Sequence, residues 1–303
     1  MKRTLLITLA IVFLFASGVH AWMQGPAGHA AYLYPVVRIE APNGVGSGTI
    51  IYSEPCEAGV EINRIKTDAA LSQEPAQKFN TYVITNHHVI KSAINISKEW
   101  DSALQKEVQV ERRSSVFVEI FQYRNQSEPI GVLKVKADIV IYSDSEKAED
   151  MAILKLRTEP KATHIAKLLP RDKADQYFVF DPTVAVGCSR GFNPMPSEGM
   201  VSRRNLTIRT FDYDMSSAQI AAGNSGGAMF LANTGELIGI PSMGVVAGWM
   251  GGAIAHMGIF IPVERVYNFL DREHYSFLFD PSKSEATCLA ERKAELEKAK
   301  AGE

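Results

Sequence analysis

One serine sits among three glycines at 223–227 (GNSGG), and an apolar run, AMFL, follows at 228–231. Glycine reaches backbone angles that other residues avoid and lets a second backbone come close. Such a loop can turn the amides of Gly223 and Ser225 toward one point, and two N–H donors beside a hydroxyl suit an oxyanion hole next to a nucleophile. A plain Gly-Ser turn between strands has the same composition, so the weight falls on what the chain supplies as partners. A hydroxyl is a weak nucleophile until a base takes its proton. Imidazole titrates near neutrality, and a carboxylate fixes its tautomer and stabilises the imidazolium.

The chain has seven histidines. His20 lies in the apolar start, and His29, His164, His256 and His274 stand in no motif. His87 and His88 follow an apolar stretch at 82–85, where a strand end places a side chain at a rim; from the residues alone either is a candidate base. Asp150 opens the apolar run 151–156, so an inward-drawn carboxylate there needs a partner. Asp138 and Asp144 are rivals in more polar surroundings.

These residues need a scaffold, and strands dominate the pattern. Strands are predicted at 36–41, 44–52, 82–85, 116–123, 131–136, 139–142 and 151–156, with 116–123 and 131–136 forming a hairpin around 125–129. A second set covers 178–180, 184–187, 206–209, 228–231, 237–240 and 259–261. Between the sets, 157–176 is a crossing segment without a clear strand. Residues 54–80 and 97–106 are predicted to be a polar insertion and a polar loop. The fold class is all-β, two antiparallel six-stranded barrels side by side, with a short C-terminal helix at 262–270 whose Val263, Val266, Tyr267 and Leu270 share a face. The charged tail, 285–300, reads as a solvated helix.

Composition narrows the partners. The 303 residues are 46% hydrophobic and 22% charged with a formal net charge of -2, which gives no basic surface for nucleic acid. Lys2-Arg3, an apolar run at 5–16 and Val19-His20-Ala21 read as a signal peptide cleaved after Ala21. A membrane contact is expected only if that segment stays uncleaved. Cys56, Cys188 and Cys288 allow one disulfide at most and no CxxC zinc pair, so neither metal nor other cofactor is expected. The domain reading is 1–21 leader, 22–160 first barrel with His88 and Asp150, 161–270 second barrel with Ser225, and 271–303 tail.

TNHHV at 85–89, DMAIL at 150–154 and GNSGG at 223–227 together resemble the three catalytic blocks of trypsin/chymotrypsin-like serine proteases, most of all the bacterial HtrA/Deg-type branch. They occur in that family's order. VGSGT at 45–49, GMVS at 199–202, LIGIPSMG at 237–244 and GIFIP at 258–262 resemble further family segments, so the likeness covers 33–270. It implies Ser225 as nucleophile, His88 rather than His87 as general base, and Asp150 as orienting acid. It further implies an oxyanion hole from Gly223, Asn224 and Ser225. Gln219, Ser242, Met243 and Gly244 fall at substrate-binding positions, with peptides or proteins as substrates and protein quality control as the branch's role. Asn224 stands where propeptide-activated relatives have aspartate, so that activation is not expected. Met243 stands where many relatives carry tryptophan. Gln219 replaces the aspartate of the trypsin branch, so small or aliphatic residues are expected at the cleavage site. After Val266 too little chain remains for the PDZ domain usual in the branch.

Two other readings fit parts of the pattern. GNSGG also satisfies the G-x-S-x-G elbow of α/β-hydrolases. That fold needs alternating helices and places its acid and histidine after the serine, where only Asp271 and His274 stand. A protease-like scaffold acting as a silent binding or chaperone module is the alternative; covalent labelling of Ser225 separates it from an enzyme.

Overall fold

The computed structural model describes residues 23, 25–56, 78–102, 105–146, 148–158, 160–247 and 252–301. The leader and most of the 54–80 insertion lie outside the described residues. A short helix at Gly25–Gly28 and a wide turn at His29–Leu33 lead in.

The first barrel is built from β1 (Val36–Ala41), β2 (Gly44–Pro55), β3 (Phe79–Thr85), β6 (Val116–Arg124), β7 (Glu128–Tyr142) and β8 (Ala152–Leu156). It closes in the order β1-β2-β3-β8-β7-β6, all pairs antiparallel. Alternation explains the closure: inward apolar residues of the strands, among them Val37, Ile39, Ile50, Val83, Val118 and Leu154, form one buried cluster. The two runs at 131–136 and 139–142 are a single strand, β7. Between β3 and β6 stands a separate hairpin of β4 (Ile94–Asp101) and β5 (Lys106–Arg113). This corrects the loop expected at 97–106. Ile96 and Trp100 are exposed on one face, the other carries only half-buried Val108 and Val110 opposite Glu99 and Ser97, and a cross-strand pair, Arg112 Nη2 to Glu99 Oε2 at 2.9 Å, adds to the tie between the strands.

The second barrel holds β10 (Pro182–Gly187), β11 (Met195–Ile208), β12 (Phe211–Ser216), β13 (Ala228–Leu231), β14 (Glu236–Ala247) and β15 (Gly252–Pro262). The order β13-β10-β11-β12-β15-β14 closes through a β13–β14 pairing. A two-residue β9 (Lys167–Leu168), inside the crossing segment, adds in parallel to β14. The strand expected at 178–180 is instead an exposed turn: the Asp181 carboxylate accepts the Phe178 N–H at 2.7 Å, and Phe180 adopts φ +81°. Strand β12 escaped the sequence reading although Phe211, Tyr213 and Met215 alternate with Asp212, Asp214 and Ser216, the period of a strand.

The helix Val263–Arg272 buries Val263, Val266, Tyr267 and Leu270, the face expected. The tail forms a helix, Glu285–Ala301, started by Ser284, whose hydroxyl accepts the Thr287 N–H at 3.1 Å. Its first residue is docked rather than solvated. Glu285 takes the Tyr82 hydroxyl at 2.6 Å, the Asn80 amide at 2.7 Å and the Lys155 ammonium at 3.0 Å. The tail is thereby fastened to β3, which leads into the histidine pair, and to β8, which follows Asp150. Replacing Glu285 by Ala leaves the buried Tyr82 hydroxyl unpaired. It is expected to cost about 3 kcal/mol, read as a fall of about 6–10 °C in the thermal midpoint.

Candidate active site

Strand β3 ends at Thr85, Asn86 is extended, and a helical turn begins at His87 (His87–Ile90). Successive residues on a helical turn point about 100° apart, so the two imidazoles part. His87 goes inward. Its Nδ1 accepts the Ser145 N–H at 2.9 Å, and its ring stacks on Tyr142 with centroids 4.9 Å apart. Because a main-chain N–H can only donate, this Nδ1 is unprotonated. Burial pushes the His87 pKa down.

His88 faces Asp150. The Asp150 carboxylate accepts the His88 main-chain N–H at 2.9 Å on Oδ1 and the ring Nδ1–H at 2.7 Å on Oδ2. The ring therefore presents Nε2 as its free acceptor. Asp150 sits just before β8 with φ +60°, an uncommon conformation outside glycine. Asn86 holds it there by donating to its carbonyl at 2.8 Å. A third donor, the Ser242 hydroxyl, meets Oδ2 at 3.0 Å.

Ser242 is also where the serine loop arrives. The Ser225 hydroxyl donates to the Ser242 carbonyl at 3.2 Å. So Ser242, on β14, touches Ser225 through its main chain and Asp150 through its side chain. The structure thus brings Ser225, His88 and Asp150 to one locus. No hydrogen bond joins the Ser225 hydroxyl to His88 among the described residues.

The loop itself can be accounted for peptide by peptide. The Ala222 carbonyl accepts the Arg190 N–H at 2.7 Å, and the Asn224 N–H goes to Ala221 at 3.0 Å. The Gly223 carbonyl accepts the Ser47 hydroxyl at 2.6 Å. The Asn224 carbonyl accepts the Gly227 N–H at 2.9 Å, the Ser225 carbonyl the Ser47 N–H at 2.9 Å, and the Gly226 N–H goes to Pro241 at 2.9 Å. Among the described residues no acceptor is found for the N–H of Gly223 or of Ser225. Two amides flanking the hydroxyl are left unspent. Gly223, at φ +102°, needs its missing side chain, because a Cβ there would run into the Cys188 carbonyl. A Cβ at Gly226 would strike the Ser47 carbonyl and the Thr85 hydroxyl of the first barrel.

Of the other positions, the Asn224 side chain accepts the Ser189 hydroxyl. Gln219 is exposed, and its carbonyl takes the Ser197 hydroxyl at 2.7 Å. The next residue, Ile220, is buried with its side chain against Gly258, across from Gly244 in the β14–β15 register. Met243 is half-buried beside it. Sequence reasoning missed Ser47, Ser189 and Ile220; only Ser47 carried a signal, as the serine of the GSG at 46–48. The described residues include no cluster of three or more His, Cys, Asp or Glu placed to hold a metal ion. Cys56, Cys188 and Cys288 are free thiols. No described helix is long and apolar enough to cross a membrane.

The family model described as "Trypsin-like peptidase domain" matches residues 72–240. No curated protein matches the sequence. Among solved structures the chain is similar to the HtrA-type protease AlgW, solved with a tripeptide. The TM-score is 0.52 and the identity 19%, over 82% of this chain and 62% of that one. The chain thus spans less than two thirds of that relative's length, and a likeness at this identity concerns the two-barrel fold.

The buried His87 makes a pH prediction for the locus. Its folded pKa is lowered while the unfolded value stays near 6.5. Below about pH 6.5 the unfolded chain binds the extra proton, so this contribution is present at pH 7 and above and is lost as pH falls. His87→Gln keeps an acceptor for Ser145 and does not titrate. Urea unfolding from pH 7 to pH 5 is expected to show a shallower loss of stability in the variant than in the parent.

Proposed function

The chain belongs to the trypsin-like peptidase domain family, and from that premise we propose that it is a serine endopeptidase. Ser225 is the nucleophile, His88 the general base and then acid, and Asp150 the residue that orients the imidazole. The observation that carries this reading is the convergence on Ser242, whose carbonyl accepts from Ser225 while its hydroxyl donates to Asp150. A change of rotamer, about 120° in χ1, swings the Ser225 hydroxyl from that carbonyl toward the free Nε2 of His88. The hydroxyl then attacks a substrate carbonyl as His88 takes its proton. The free amides of Gly223 and Ser225 stabilise the negative oxygen of the tetrahedral intermediate, and the acyl-enzyme that follows is hydrolysed by water activated at the same imidazole. Asn224, its own N–H engaged, links the two donors.

The substrate backbone lies along Ser242, Met243 and Gly244 as an added strand. Ile220, packed on Gly258 behind that edge, fills space that a long side chain would need. This supports small or aliphatic residues at the cleaved position, as does the absence of a carboxylate at Gln219. The leader at 1–21 supports export, and the resemblance to the HtrA-type branch supports a place in protein quality control.

A fluorophosphonate probe tests the reading. The parent is expected to label, and Ser225→Ala to show no labelling. His88→Ala is expected to lose about three or more powers of ten in peptidase activity, while His87→Gln keeps it within a few fold. A parent that does not label favours the silent binding module instead. Peptide-library cleavage is expected to favour Ala or Val over Lys or Arg before the cut bond; a preference for Lys or Arg contradicts the Ile220 and Gln219 reading.

A further inference from the structure

The 222–225 loop takes its shape from a turn, Ser189–Gly191, that is itself held by the first barrel. Two successive residues of that turn are left-handed, Arg190 at φ +56° and Gly191 at φ +79°. Arginine in this region is strained by about 1–3 kcal/mol and persists only where its surroundings over-determine it. Main-chain bonds supply part of that constraint: Gly191 N–H to Cys188 at 2.9 Å, Phe192 N–H to Ser189 at 3.0 Å, and Arg190 N–H to Ala222 at 2.7 Å. Side chains supply more: the Ser47 hydroxyl accepts the Cys188 N–H, the Ser189 hydroxyl donates to Asn224, and one tie reaches Gly191 itself. Arg38 Nη1 donates to the Gly191 carbonyl.

Arg38 is well braced for this. It lies on β1 opposite Glu119 of β6, and its Nε donates to the Glu119 carboxylate at 2.5 Å. Its guanidinium carbon stands 5.5 Å from the centre of the Phe121 ring. Glu119 is buried. A planar fork holds its donors toward a carboxylate and a carbonyl in fixed, divergent directions, whereas the rotatable donors of an ammonium all leave one nitrogen and fix neither direction.

We propose that Arg38 is a positioning residue for the amide of Gly223; the inference rests on the reading of that amide as an oxyanion donor. The Ala222 carbonyl and the Gly223 N–H belong to one planar unit and point opposite ways. Fixing the carbonyl therefore aims the N–H. The Arg190 N–H fixes the carbonyl, the left-handed turn aims the Arg190 N–H, and Arg38 holds the turn through Gly191. Without the guanidinium the turn relaxes and the 222–223 peptide is free to rotate, withdrawing one of two donors. His88, Asp150 and the Ser242–Gly244 edge are not part of this chain of contacts. Loss of Arg38 therefore acts on the rate of acylation and not on substrate binding or on the ionisation that governs it.

The test compares the parent with Arg38→Met/Glu119→Gln, which leaves no unpaired buried carboxylate, and with Arg38→Lys, which keeps a cation beside Glu119 but loses the fork. Fluorophosphonate labelling rate and peptidase kcat are expected to fall together by about 10- to 100-fold in the double variant and less in Arg38→Lys, against the 100-fold or more for outright loss of a donor. KM and the pH midpoint of kcat/KM are expected to stay at parental values. A folded double variant that labels at the parental rate, or one in which KM rises with kcat unchanged, overturns the inference. If thermal melting shows that the double variant does not fold, Arg38→Lys decides: a parental labelling rate there overturns it. A parent that does not label removes the reading of Ser225 and this inference with it. A labelled parent with an equally fast variant removes this inference alone.

Discussion

Everything at the site depends on one close approach between the two barrels. Ser225 comes from the second barrel and His88 and Asp150 from the first, so the geometry of the site is inter-barrel geometry. The approach is made at Ser47, a fully buried residue of β2. Its N–H holds the Ser225 carbonyl. Its hydroxyl accepts the Cys188 N–H at 2.7 Å and donates to the Gly223 carbonyl. Its own carbonyl accepts the Thr85 hydroxyl at 2.7 Å. Three polar atoms of one small residue thereby tie β3, the 188–191 turn and the serine loop together. A side chain at Gly226 would separate them, which is why glycine stands there.

Conformational strain collects at the same place. Asp150, Arg190 and Gly223 all have positive φ. Asp150 is answered by Asn86 and Ser242, Arg190 by Ala222 and the Arg38-held turn, and Gly223 by Ser47. Each of these left-handed residues, strained at Asp150 and Arg190 and unstrained at Gly223, is fixed by a bond from another strand or loop. That pattern suits a site whose donors must be in place before the substrate arrives, since donors aimed in advance need no reorganisation during the reaction.

How much of this the sequence discloses depends on where a residue's partners lie. Most first-barrel strands and the face of the Val263–Arg272 helix follow from alternation and helical periodicity, because burial is one-sided there. The three chemical blocks are local and readable. The choice between His87 and His88 rests on a family pattern; in the structure the two adjacent side chains diverge, and His88 is the one that faces Asp150. Ser47, by contrast, bonds to residues 141 and 176 positions away, and no local pattern announces such contacts. Arg38 and Gly191 are separated by 153 positions. The β4–β5 hairpin and the 178–180 turn were misread for the opposite reasons. The hairpin buries neither face, and the turn exposes residues whose types suggest a strand.

The way Asn224 is held bears on how the loop reaches its shape. In a relative with aspartate at this position, a buried charge waits for a newly cut amine. Here the side chain is neutral and already satisfied by the Ser189 hydroxyl, so no carboxylate is left needing a counter-ion. Met23 is also placed elsewhere. The Met23 N–H reaches the Ala232 carbonyl at 3.4 Å, and Met23 packs against Gly235. Both contacts lie past the far end of β13, whereas Asn224 precedes its near end. At roughly 3.3 Å per residue, strand β13 keeps Met23 more than ~10 Å from Asn224. The loop is therefore set by neutral hydrogen bonds from Ser47, Ser189 and the Arg190 main chain. These form as the two barrels pack.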